Sequence, residues 1–318
     1  MLPFVVQRSA VFRLAFVGCA DLILLFGVAV FPWATSSAVA SPVGDNLRSN
    51  REPISFSSGS WELAPELRRE LPASLLPLQG QLSPTTRTRL AGRHSWDRFV
   101  SDSRLAPICL TISPVTTDGI RVGHQVRAVF ALRMSLAHLN NEQEEAEPLG
   151  LGLARGCGSY RLLTTTELTE VGLKSSGRQD ERFVLVELTL LNRIRVSGTV
   201  HIVRQSTADS IKLIWAFDHR FDSQPDLRTT ASRIDSTELG ERVIGPAEPY
   251  DGGFGVVIAR ELPQPGDTPA DPPLVIVESR LAFAEPEDWF GGSNLLRAKI
   301  PLITQEGVRT LRRQISAE

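Results

Sequence analysis

Residues 194–204 read IRVSGTVHIVR, and residues 211–221 read IKLIWAFDHRF. In the first stretch Ile194, Val196, Gly198, Val200 and Ile202 fall on one side, and Arg195, Ser197, Thr199 and His201 on the other. In the second, Ile211, Leu213, Trp215, Phe217, His219 and Phe221 share a side. A period of two marks a strand with one face buried. Ser206–Ser210 joins the two stretches as a short polar loop, so they pair as a hairpin.

Working outward, Thr229–Asp235, Gly255–Glu261 and Leu274–Ala284 read as further strands, separated by Gly252-Gly253 and the Pro263–Pro273 loop. Upstream, Phe183–Leu191, Tyr160–Thr169 and the short apolar run Cys109–Ser113 have strand character. Gln125–Leu136 fits a buried strand or a buried helix equally well. Asn140–Glu147 is acidic and polar, a loop or a short exposed helix. Asn294–Ile315 carries Leu296, Ile300, Ile303, Leu311 and Ile315 at helical spacing, with arginines opposite and Ser293 placed to cap it. Pro301 is expected to kink or divide this helix, because proline removes a donor and crowds the preceding turn. The pattern predicts an α+β fold: an antiparallel, curved sheet of about six or seven strands packed on a C-terminal amphipathic helix.

That order of elements resembles the helix-grip fold of the START and Bet v 1-like (SRPBCC) superfamily. Ile194–Arg204, Ile211–Phe221, Leu274–Ala284 and the helix after Asp288-Trp289-Phe290 carry the resemblance, which spans residues 105–318. It implies a sheet wrapped around the last helix, enclosing an apolar cavity for a lipid or other apolar small molecule. Trp215, Phe217 and His219 are then the expected ligand-binding side chains.

The N-terminus has a separate meaning. Arg8 and Arg13 precede a largely apolar run, Leu14–Trp33, followed by Ala38-Val39-Ala40 and Ser41-Pro42. A basic region, an apolar region and an A-x-A site describe a secretory signal peptide over residues 1–40. The protein is therefore expected to be exported, periplasmic or secreted. The alternative is an uncleaved membrane anchor, which Asp21 inside the run disfavours. Only in that case would the membrane be a partner. Residues 41–104 read as a poorly packed lead-in rich in Ser and Pro, although Trp61 and Trp96 suggest that parts of it dock on the domain at 105–318.

The formal charge is −2 for the whole chain, and −3 once residues 1–40 leave with Arg8, Arg13 and Asp21. That balance argues against a nucleic-acid partner. Cys109 and Cys157 either bridge, as export would permit, or stay as small buried thiols. The dispersed histidines give no metal-ligand spacing, and Gly150–Gly158 lacks the frame of a phosphate or dinucleotide loop, so no metal and no cofactor is expected.

Asp218-His219-Arg220-Phe221-Asp222 contains acid–base residue types, but neighbours on a strand point to opposite faces. The expectation is a core histidine beside solvated charges. His94-Ser95-Trp96-Asp97 holds the residue types of a hydrolytic triad without a G-x-S-x-G elbow, and reads as a helix start capped by Ser95. Trp289 and Phe290 beside Gly291-Gly292 read as a hydrophobic corner. The functional expectation is an exported domain that binds a small hydrophobic ligand between sheet and helix. The alternative is a non-catalytic structural or protein-interaction domain of the cell envelope. An enzyme using His219 as base has the least support.

Overall fold

The computed structural model describes residues 71, 73–137, 158–173, 181–236, 242–263, 272–286, 288–290 and 294–315. The N-terminal segment 1–40, Trp61, the acidic stretch 140–147, Cys157 and Ser293 lie outside the described residues.

The chain runs α1 Pro84–Ala91, α2 Trp96–Phe99, β1 Cys109–Thr117, β2 Ile120–Arg133, β3 Gly158–Leu162, α3 Thr165–Glu170, β4 Glu181–Leu190, β5 Ile194–Ser206 and β6 Ser210–Phe217. It continues through β7 Thr230–Ser236, β8 Arg242–Ile244, β9 Glu248–Pro249, β10 Gly253–Leu262, β11 Leu274–Ala284 and α4 Leu295–Ile315. The strands form one antiparallel sheet of eleven, in the order β1-β2-β11-β10-β6-β5-β4-β3, with β7 on β5 and the short β8 and β9 on β7. The sheet is thus larger than the six or seven strands expected. Part of the difference is β8 and β9, of three and two residues, too short to show a period.

β2 settles the ambiguity at Gln125–Leu136. It is a strand because it has two partners, pairing Val126 with Ile112 on one side and with Leu281 on the other. A residue run buried on both faces loses the alternation that identifies a strand in sequence. Tyr160–Thr169 is divided: β3 ends at Leu162, and Thr164 caps α3 by accepting from Glu167 N while Glu167 reaches back to Thr164 N. That reciprocal capping box starts a helix where the apolar content alone suggests a strand.

The inner face of the sheet packs on α4. Leu296, Ile300 and Ile303 meet Val126, Trp215, Leu281 and Phe283, while Val308 and Leu311 meet Phe130, Leu132, Val275 and Val277. Helix α4 continues through Pro301 as one element, so the expected division does not occur. Apolar side chains buried on both sides of the proline hold the two halves to one sheet, which offsets the missing donor.

The outer face is covered by the described part of the lead-in. Leu76, Leu82, Leu90, Ala91 and Phe99 are buried against Val129, Ala131, Ile258, Leu274 and Ile276, with Trp96 alongside. Polar anchors fix this segment. Glu278 of β11 is 0% exposed and accepts from Ser74 Oγ at 2.5 Å and from the amides of Leu75 and Leu76. Arg260 of β10 donates to the carbonyls of Pro77 and Gly80. Residues 74–100 therefore run along the outer face as a strap held by these contacts. Cys109 lies under it, its thiol donating to the Ala91 carbonyl at 3.0 Å.

Farther along the outer face, His201 stacks on Phe183 at 4.3 Å, with Nε2 2.7 Å from Glu181 Oε1. Burial holds the imidazole below its ordinary 6.5, and Glu181 only partly offsets this. The unfolded chain therefore binds a proton that the folded imidazole refuses. Stability should fall as the pH drops through about 6.5, and His201→Gln should flatten that slope in a pH series of urea unfolding curves. An unchanged slope would assign the pH dependence to other groups.

Candidate functional site

Trp215 and Phe217 sit on β6 where the sequence places them, on the inner face. Trp215 pairs across the ladder with Gly255 on one side and Ile202 on the other, and Phe217 with Val200. Glycine makes the room for both rings. A Cβ on Gly255 would come within 2.7 Å of the Trp215 indole. One on Gly252, whose φ is +74°, would come within 2.7 Å of Phe217. Each ring therefore lies down over its neighbour's backbone and paves the sheet. The indole N–H of Trp215 has no acceptor among the described residues, although the residue is only 7% exposed.

His219 does not continue this row. Strand β6 ends at Phe217, and the Asp218 carboxylate accepts from Arg220 N at 3.1 Å and from its Nε at 2.8 Å. A short Asp side chain offers the backbone this local alternative to a ladder. The chain turns into a single 3-10 turn, His219–Phe221. His219 Nδ1 lies 2.8 Å from Asp222 Oδ2, and Asp222 Oδ1 accepts from Thr229 N at 3.2 Å. The histidine and carboxylate fasten this partly exposed turn. Phe221 leaves the inner face too, packing with Leu168 and Leu227 in a separate cluster.

The aromatic floor extends past Phe217. Its ring centroid is 6.1 Å from Tyr250, which is 4.9 Å from Trp289, which is 6.4 Å from Phe290. Trp289 and Phe290 are buried, so the corner before α4 packs the helix onto the sheet as its sequence suggests. Tyr250 donates its hydroxyl to Ala284 O at 2.9 Å, and burial pushes its phenol up, so it stays a donor.

Sequence reasoning missed the polar end of this face. His124 of β2 and Glu285, just beyond β11, are both buried, with His124 Nε2 2.5 Å from Glu285 Oε2. The contact has ion-pair distance without hydrogen-bond direction, and His124 Nδ1 has no partner among the described residues. Arg121 reaches Glu285 at 4.0 Å and donates to Asn294 Oδ1 at 2.7 Å, tying the pair to the start of α4. The His124 ring stands 5.9 Å from Phe283. The signal was present: His124 precedes Val126, Ala128, Phe130 and Leu132 at a spacing of two. The open choice between strand and helix for this run concealed it.

Among the described residues, no group of three or more His, Cys, Asp and Glu side chains is placed to hold a metal ion. No helix among them is long and apolar enough to cross a membrane.

No protein-family model matches the chain, and no curated protein matches it. A search of solved structures finds similarity to a STAR-related lipid transfer protein from Xanthomonas axonopodis, at 11% identity, covering 64% of this chain and 93% of that chain with a TM-score of 0.36.

Proposed function

We propose that this chain binds a small hydrophobic ligand between the inner face of the sheet and α4, with Trp215 and Phe217 as its floor. The observation that carries this reading is the Trp215 indole N–H, which is buried among apolar neighbours and has no acceptor among the described residues. Leaving such a donor unpaired costs about 1–3 kcal/mol. An apolar molecule carrying one oxygen acceptor would recover that cost while covering the aromatic floor. Ligand sites of this kind are mostly apolar with few polar groups. His219 is left out of the site, because it stands on the turn beyond the strand.

The test uses the purified chain and NBD-labelled stearate, followed by the probe's fluorescence. Saturable binding is expected. Trp215→Phe keeps the ring floor but deletes the donor, and should weaken binding about tenfold while leaving the stability of the free protein unchanged or higher. No saturable binding, or equal binding by Trp215→Phe, would reject the reading.

Export is the second part of the proposal, supported by the pattern at residues 1–40. N-terminal sequencing of the protein made in a bacterial host should begin at Ser41. Recovery of the intact chain from the membrane fraction would favour the anchor.

A further inference from the structure

Strand β1 lies at one end of the sheet. It pairs with β2 along one edge, and its other edge has no backbone partner among the described residues. Pro114 lies within it, opposite His124. Proline is tolerated in a strand where its missing N–H faces away from the ladder. The same register turns the amides of Leu110 and Ile112 outward, because alternate residues of a strand present their backbone groups to the same edge. Pro114 then ends the usable edge.

An open groove of ≈ 880 Å³ wraps this edge. On one side Ile108, Leu110 and Ile112 meet α4, whose Arg297, Pro301 and Gln305 form the wall. On the other side Cys109 meets the strap, whose Arg89 and Arg93 form the opposite wall. A strand laid against β1 would send its alternate side chains to these two walls.

The groove is also charged against the balance of the molecule. The chain carries a net −2, yet the groove is lined by Arg89, Arg93, Arg127, Arg297 and His94 and by no carboxylate. Arg127 is held by Glu278 and the Ala73 carbonyl. Arg89, Arg93 and Arg297 are exposed and have no carboxylate partner among the described residues. Exposed guanidinium groups on both walls of a strand position that no described residue occupies select carboxylates projecting to both sides.

We infer that β1 is a docking edge for an extended acidic peptide segment of a partner protein, which adds as a further antiparallel or parallel strand and places its carboxylates against Arg89, Arg93 and Arg297. Main-chain hydrogen bonds supply affinity in this mode, and the flanking walls supply specificity. Charge alone would capture any polyanion; the outward amides of Leu110 and Ile112 require an extended backbone with free N–H and C=O groups.

The experiment uses the full chain and a fluorescein-labelled peptide of repeating Glu-Glu-Val-Val, which puts carboxylates on both faces of a strand, read by fluorescence anisotropy. Two comparison peptides accompany it: one with Lys in place of Glu, and one with backbone N-methylation at alternate residues. Binding by the Glu–Val peptide that weakens with added salt, and that the Lys and N-methylated peptides lack, is the expected result. The charge-reversed variant Arg89→Glu/Arg93→Glu/Arg297→Glu should lose at least about tenfold in affinity. These side chains are exposed, so circular dichroism and the thermal midpoint should stay at wild-type values. Equal binding of the N-methylated peptide overturns strand addition. Unchanged affinity in the folded triple variant overturns the placement. Concentration-dependent dimerisation that excludes the peptide would assign the edge to a second copy of this chain instead.

Discussion

Glu278→Ala is expected to cost about 3–5 kcal/mol in urea unfolding, as breaking a buried ion pair does. Its carboxylate is fully buried and serves both halves of the molecule. From the strap it accepts Ser74 Oγ and the amides of Leu75 and Leu76; from the sheet it faces Arg127 Nε at 3.3 Å and Arg280 Nε at 3.9 Å. Removing it leaves two cations close together and the Leu75 amide without its acceptor, while the Leu76 amide keeps only Ser74 Oγ. The loss should also be local. Trypsin should cut at Arg87, Arg89 and Arg93 sooner in the variant, because the strap that carries them loses its anchor. A loss under about 1 kcal/mol, with unchanged cleavage, would mean that apolar contacts alone dock the strap.

Leu311→Ala tests the other face. Leu311 is 3% exposed and packs from α4 onto Phe130, Leu132, Val275 and Val277. Truncating a leucine in such a place costs about 2–5 kcal/mol, the lost transfer energy plus the cavity left behind. A change below about 0.5 kcal/mol, the surface range, would show that the C-terminal turns of the helix do not hold the sheet. The two substitutions act on opposite faces of the sheet and share no hydrogen-bond or ion-pair partner, so their effects should add.

Much of this fold is legible in local pattern. Leu274–Ala284 is a strand in sequence and in structure with the same bounds, because an eleven-residue apolar run between loops has few other uses. Helix α4 starts within a residue of its periodic stretch and buries the stripe that the spacing predicts. Trp215 and Phe217 face inward as the alternation requires. These features depend on side-chain period, and period is a property of the chain itself.

What the tertiary structure decided lies where local signals compete or where the partner is distant. At Asp218 a carboxylate bond to the next turn ends β6, so His219 leaves a face that simple alternation assigns to it. At β2 two neighbouring strands, one of them more than 140 residues away, turn an ambiguous apolar run into a strand and bring His124 to Glu285. At Pro301 packing on both sides carries the helix across a residue that would break it in isolation. In the strap, Glu278 and Arg260 supply from the sheet the hydrogen-bond partners that a Ser- and Pro-rich segment lacks within itself. The sequence by itself determined which residues prefer to be buried and with what period. The distant partners that decide between competing local structures exist only once the sheet is assembled.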